Sequence, residues 1–134
     1  HVFSALFDQP GGSTRPLLPA AIGRALILAH PPAERTAILN YLKVQDRAMF
    51  NTHRPLWEAD QKLFAAQGYC HSRGDWQQDL HAVAVPLRQP PGEAPLALNC
   101  TLAAYRVQRD FLEREAVPLL KDAARQLAVA QGLR

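Results

Sequence analysis

The chain has 134 residues, 48% of them hydrophobic and 20% charged, enough for one folded domain and too apolar for a disordered segment. The formal net charge of +3 is spread along the chain. Its tightest basic cluster, Arg106, Arg109 and Arg114, is interleaved with Asp110, Glu113 and Glu115, the pattern of a solvated helix face rather than a phosphate-binding stripe. No apolar run approaches the roughly 20 residues of a membrane span, and no stretch reads as a signal peptide. Cys70 and Cys100 have no Cys-x-x-Cys spacing; they fit a reducing cytoplasm, with neither a disulfide nor a zinc site expected.

In chain order, Val2–Phe7 reads as a strand, closed by the turn cluster Asp8, Pro10, Gly11 and Gly12. Thr14–Pro19 is an extended connector, because Pro16 and Pro19 exclude a helix. A helix starts near Ala20 or Ala21 and runs to about Ala29, where His30-Pro31-Pro32 ends it. A second helix spans Ala33–Leu42, with Glu34 at its positive end. Met49–Thr52 reads as a loop. Arg54–Gln67 is a helix with Leu56, Asp60, Leu63 and Phe64 at helical spacing, stopped by Gly68.

Strands follow at Tyr69–Ser72, Leu80–Leu87 and Ala94–Leu102. The second places Val83 and Val85 on one face and Ala82 and Ala84 on the other. The third sets Leu96, Leu98 and Cys100 against Ala97, Asn99 and Thr101. The turn between them carries Pro90, Pro91 and Gly92, so the pair is a hairpin with small and polar residues on one side. Such a face leaves room for a small molecule or packs beneath a helix. Val107–Gln131 is the last helix, with an inner face of Phe111, Ala116, Leu119, Leu120, Ala123, Leu127 and Ala130, and a kink near Arg114 caused by Pro118.

Strands in antiparallel order with helices between and after them make an α+β domain. Four motifs in sequence add to this. They are Ser-Thr-Arg-Pro-Leu-Leu-Pro-Ala-Ala-Ile-Gly at 13–23, the spacing from Gly68 to Pro86, the run Ala97–Thr101 after Gly92, and Leu-Leu-Lys-Asp-Ala-Ala at 119–124. Together they resemble the effector-binding domain of the IclR family of bacterial transcription regulators, from about Val2 to the end. The resemblance implies a GAF-like fold, a curved antiparallel sheet flanked by helices. It also implies that residues 1–134 are an N-terminally truncated effector-binding domain, with the DNA-binding winged helix-turn-helix domain outside this chain. The opening on His1 and a strand fits a fragment.

The resemblance places a ligand site at Ala21, Ile22, Ser72, Ala82, Asn99 and Thr101. Backbone amides of Ala21 and Ile22, in the first turn of a helix, would meet the carboxylate of a small organic acid, since free N–H groups and the dipole favour an anion there; an ordinary helix start is the plain alternative. Asn99 and Thr101 share a strand face and suit a hydroxyl or carboxyl oxygen. Ser72 stands where many relatives have aspartate, and Ala82 where some have cysteine or serine, so a roomier, more apolar pocket is expected. Ala-Val-Ala-Val-Pro followed by Ala-Leu-Asn is similar to regulators of aromatic-acid catabolism, which leans the ligand toward a ring acid. Asp75 and Trp76 form a lid or a solvated turn, and His81 faces the other side of its strand.

His53, His71 and His81 have no metal-ligand spacing with an acidic residue, and no metal or cofactor is expected. Cys70 and His71 are adjacent on a strand and point apart, and no nucleophile, phosphate-loop or metal motif occurs, so an enzyme is not expected. The reading is a cytoplasmic sensor that binds a small carboxylic acid and couples it to the arrangement of a homodimer or tetramer, touching DNA only through another domain and no membrane. The alternative is an oligomerisation module without a functional pocket.

Overall fold

The computed structural model describes residues 2–6, as backbone, and 17–132. The turn cluster at 8–12 and the first part of the 14–19 connector lie outside the described residues. Strand β1 (Val2–Leu6) is followed by helices α1 (Ala21–Leu28), α2 (Pro32–Gln45) and α3 (Arg47–Gln67). Strands β2 (Cys70–Arg73), β3 (Leu80–Leu87) and β4 (Leu96–Ala103) come next, and helix α4 (Val117–Ala130) ends the fold. The sheet order is β1-β4-β3-β2, every pair antiparallel. This is the expected α+β architecture, with helices on both faces of the sheet.

The alternation read from the hairpin divides the core in two. Ala82, Ala84, Ala97 and Cys70 pack against Leu18, Ile22, Ala25 and Ile27 of α1 and its connector, with Phe50 and Trp57 of α3. Val83, Val85, Cys100 and Leu102 face the other way, onto Leu112, Ala116, Val117 and Leu120. Cys70 and Cys100 are both free and buried, one on each side of the sheet.

Several helix expectations change. Helix α2 runs on to Gln45, three residues past Leu42. Met49–Thr52 lies inside α3 rather than in a loop. Asp46 starts that helix by accepting the Met49 N–H at 3.1 Å, a side-chain cap that satisfies a first-turn donor. Pro55 therefore falls in the helix interior. Helix α3 ends at Gly68, whose φ of 81° suits the left-handed cap. On its inner side Trp57 and Asp60 are buried, while Leu56, Leu63 and Phe64 are half-buried.

The last helical region is not one helix. A 3-10 turn at Ala104–Arg106 and a π turn at Leu112–Ala116 precede α4. Pro118 has no N–H for the Arg114 carbonyl, and its ring crowds that oxygen. The chain widens into the π turn just where a kink was expected. The extra residue per turn rotates the register, so Leu112, Ala116, Val117, Leu120 and Ala128 are buried. Phe111, Leu119 and Leu127, placed inside by a uniform helical period, are exposed at 37%, 61% and 43%.

Candidate ligand cavity beneath helix α1

The six residues singled out in the sequence meet around one cavity. The register sets Ser72, Ala82 and Thr101 side by side across β2, β3 and β4, and Asn99 one row along beside Ala84. Ala21 and Ile22, in the first turn of α1, cover them. Ala20 stands at the N-cap of α1 and provides no side-chain cap, so no side chain of its own competes for the first-turn amides. Asn99 donates from Nδ2 to Thr101 Oγ1 at 3.0 Å. Ser72 Oγ accepts the Asp75 N–H at 3.1 Å.

Trp76 and Gln77 join the lining from the loop after β2, so the loop covers the cavity, the first of the two roles open to it. The cavity holds about 20 Å³, space for one water molecule and less than a carboxylic acid requires. The expectation of a roomy pocket is not met in this closed arrangement.

Sequence reasoning missed the residue that organises this site. Arg24, one turn into α1, is 1% exposed and forms four bonds. Its Nε donates to Asp60 Oδ2 at 2.5 Å, and Nη1 to the Leu18 carbonyl at 2.6 Å. Nη2 donates to the His71 carbonyl at 2.9 Å and to Asp75 Oδ2 at 3.1 Å. Asp60 Oδ1 accepts the His71 N–H at 3.1 Å. One guanidinium thus joins the connector, α3, β2 and the covering loop. A clue was available: Asp60 sits among apolar residues on the inner stripe of α3, and a buried carboxylate needs a cation.

Gly23 lets the connector lie this close. A Cβ there would stand 2.3 Å from the Leu17 carbonyl oxygen and 2.5 Å from its Cα. Arg35 Nε and Nη2 donate to the carbonyls of His30 and Leu28, satisfying the end of α1.

Among the described residues, Cys70 and His71 do not form a catalytic pair. Burial pushes the Cys70 thiol up, and the Asp60 carboxylate adds to the effect, so Cys70 stays protonated and unreactive. His71 extends to the opposite face of β2. Among the described residues, no group of three or more His, Cys, Asp or Glu is arranged to hold a metal ion. No helix among them is long and apolar enough to cross a membrane.

Residues 7–129 match the family model of the bacterial transcriptional regulator IclR C-terminal domain. The Pca regulon regulatory protein of Pseudomonas putida is 30% identical over 126 residues, which are 90% of this chain and 42% of that protein. An IclR family transcriptional regulator from Brucella abortus superposes with a TM-score of 0.80 at 31% identity, over 92% of this chain and 46% of that one. The inducer-binding domain of PobR from Acinetobacter, a double mutant in complex with 3-hydroxybenzoic acid, has the same fold. Its TM-score is 0.64 at 20% identity, over 93% of this chain and 86% of that one. The chain spans less than half the length of the Pseudomonas and Brucella proteins. These relatives are named as regulators, in line with the reading of a regulator domain rather than an enzyme. The chain belongs to the IclR C-terminal family, the effector-binding domain of bacterial transcriptional regulators.

Proposed function

We propose that this domain senses a small aromatic carboxylic acid in the cavity beneath α1. The observation that carries the reading is convergence. Ala21, Ile22, Ser72, Ala82, Asn99 and Thr101 come from four separate elements and line one space. The acid's carboxylate meets the first-turn amides of α1, and its ring lies on Ala82 and Ile22. Asn99 and Thr101 bond a ring hydroxyl. The ring acid bound to the PobR domain and the name of the Pseudomonas relative support this class of ligand.

Entry requires the loop carrying Asp75, Trp76 and Gln77 to move outward, because the closed cavity is too small. Ligand then favours the arrangement in which the loop and α1 stand further apart. Through that preference it biases a homodimer or tetramer of a cytoplasmic regulator, whose DNA contacts are made by a winged helix-turn-helix domain outside this chain. The small volume also favours a second reading, an oligomerisation module whose cavity is filled by its own side chains.

Thermal unfolding against protocatechuate, 4-hydroxybenzoate, phenylacetate, glyoxylate and pyruvate separates the two. Ligand at about a hundred times its dissociation constant adds roughly 2.7 kcal/mol. The expected result is a shift with the ring acids that Thr101→Val reduces. A cooperative melt that no acid moves would favour the structural module.

A further inference from the structure

The face of β2 and β3 turned away from this cavity carries a second polar constellation. His71 pairs with Val83 and Arg73 with His81. Val83 belongs to the core beneath α4, so His71, Arg73 and His81 all point to that side. Residues 107–113 form the opposite wall, and the space between is about 340 Å³, the size of a small-ligand site.

The lining carries two cations, Arg73 and Arg109, and two carboxylates, Asp110 and Glu113, but they are unevenly paired. Arg73 Nη2 donates to Glu113 Oε1 at 3.2 Å, and Asp110 is paired with Arg114 at 3.0 Å. Both carboxylates of the lining are therefore engaged. Arg109 has no carboxylate partner among the described residues, and its cation is left over. The His71 Nδ1 atom is buried with no hydrogen-bond partner. A buried polar atom in that state is costly and calls for a missing partner. The backbone of His71 is meanwhile locked, its N–H on Asp60 and its carbonyl on Arg24. The lining thus combines an imidazole with one unpartnered nitrogen, on a backbone held at both ends, and an unpaired guanidinium.

We propose that this cavity is a second ligand site, built for a small carboxylate. The imidazoles of His71 and His81 and the guanidinium of Arg109 supply the donors, since each can give a charge-assisted bond to a carboxylate oxygen. The Arg73–Glu113 pair forms one side. Ser72 and Ala82 alternate with these residues and line the first cavity, so the same two strands hold one site on each face. This site does not depend on the first one being occupied.

The test is a titration of the protein with succinate, following imidazole and backbone signals by NMR. Shifts are expected at both histidine rings and across 107–113. Arg109→Gln, at an exposed position, should weaken binding about tenfold or more, the loss of one charge-assisted bond. His81→Gln should weaken it as well, and Thr101→Val should leave it unchanged. Unmoved imidazole signals, or binding that Arg109→Gln and His81→Gln leave intact, would overturn the proposal. Binding lost in Thr101→Val alone would also overturn it, because it would place succinate in the first cavity.

Discussion

Replacing Asp60 with alanine tests whether one ion pair holds the candidate cavity together. Arg24 and Asp60 are 1% and 3% exposed. Removing the carboxylate leaves a guanidinium buried against Asp75 and two carbonyls, and it strands the His71 N–H that Asp60 accepts. Breaking a buried pair from one side costs about 3–5 kcal/mol. Asp75 still faces Arg24, so Asp60→Ala should fall near the lower end, at about 3 kcal/mol. Asp75 is only partly buried and leaves the Asp60 bond intact, so Asp75→Ala should cost about 1 kcal/mol, as partly exposed pairs do. Urea unfolding reads both as a lower midpoint at constant slope. The double replacement Arg24→Met with Asp60→Leu removes both charges and should recover most of the loss. An Asp60→Ala cost below about 1 kcal/mol would put the pair in the class of surface bridges and refute the reasoning. So would a double variant less stable than the single one.

Two further outcomes follow from the same geometry. Gly23→Ala places a methyl group 2.3 Å from the Leu17 carbonyl; the connector must move, at a cost of about 1–3 kcal/mol, and Trp76 fluorescence should change as the cavity cover shifts. A variant as stable as the parent would show that the connector does not sit on α1. Burial pushes the Glu113 carboxyl up, but its backbone bond, the Arg73 bond and charge, and His71 outweigh this and leave it below the usual carboxylate range. A lowered carboxyl contributes stability above its unfolded value and loses it as pH falls through the folded value. Glu113→Gln should therefore be less stable than the parent at neutral pH, by up to about 1 kcal/mol, with the difference vanishing in acid; a difference that grows on acidification would reverse the sign and sink the assignment.

What the sequence made legible follows from period and spacing. Strand alternation assigned Ala82–Val85 of β3 and Ala97–Thr101 of β4 to the correct faces, because a period of two tolerates no slip without turning the whole strand over. The six cavity residues came from family spacing laid on that alternation. The helices were harder. Asp46 outranked the weak apolar pattern at Met49–Thr52, since a cap satisfies donors that the pattern ignores. Pro118 was read as a kink, but a π turn absorbs its missing bond and rotates the inner stripe, which sent Leu119 and Leu127 outward. Asp60 on the inner stripe of α3 signalled a buried cation, but not that it is Arg24, whose partners other than Leu18 are 36, 47 and 51 residues away. No local pattern encodes a bond of that range.

The same guanidinium explains why the cavity is closed. Arg24 holds the Leu18 carbonyl on one side and Asp75 on the other, so the connector above α1 and the loop after β2 are drawn to one point. Ser72 adds a second tie by accepting the Asp75 N–H. In the proposed opening of the loop, the partly exposed Asp75 contact would break while the fully buried Asp60 stayed on Arg24. The bonds thus divide into a permanent part and a releasable part, 1% and 4% exposed side chains for the first and a 20% exposed one for the second. The permanent part also fixes His71 by its N–H and carbonyl. Asp75 and the His71 carbonyl share Arg24 Nη2, so the releasable bond and the strand that carries the second cavity meet at one nitrogen.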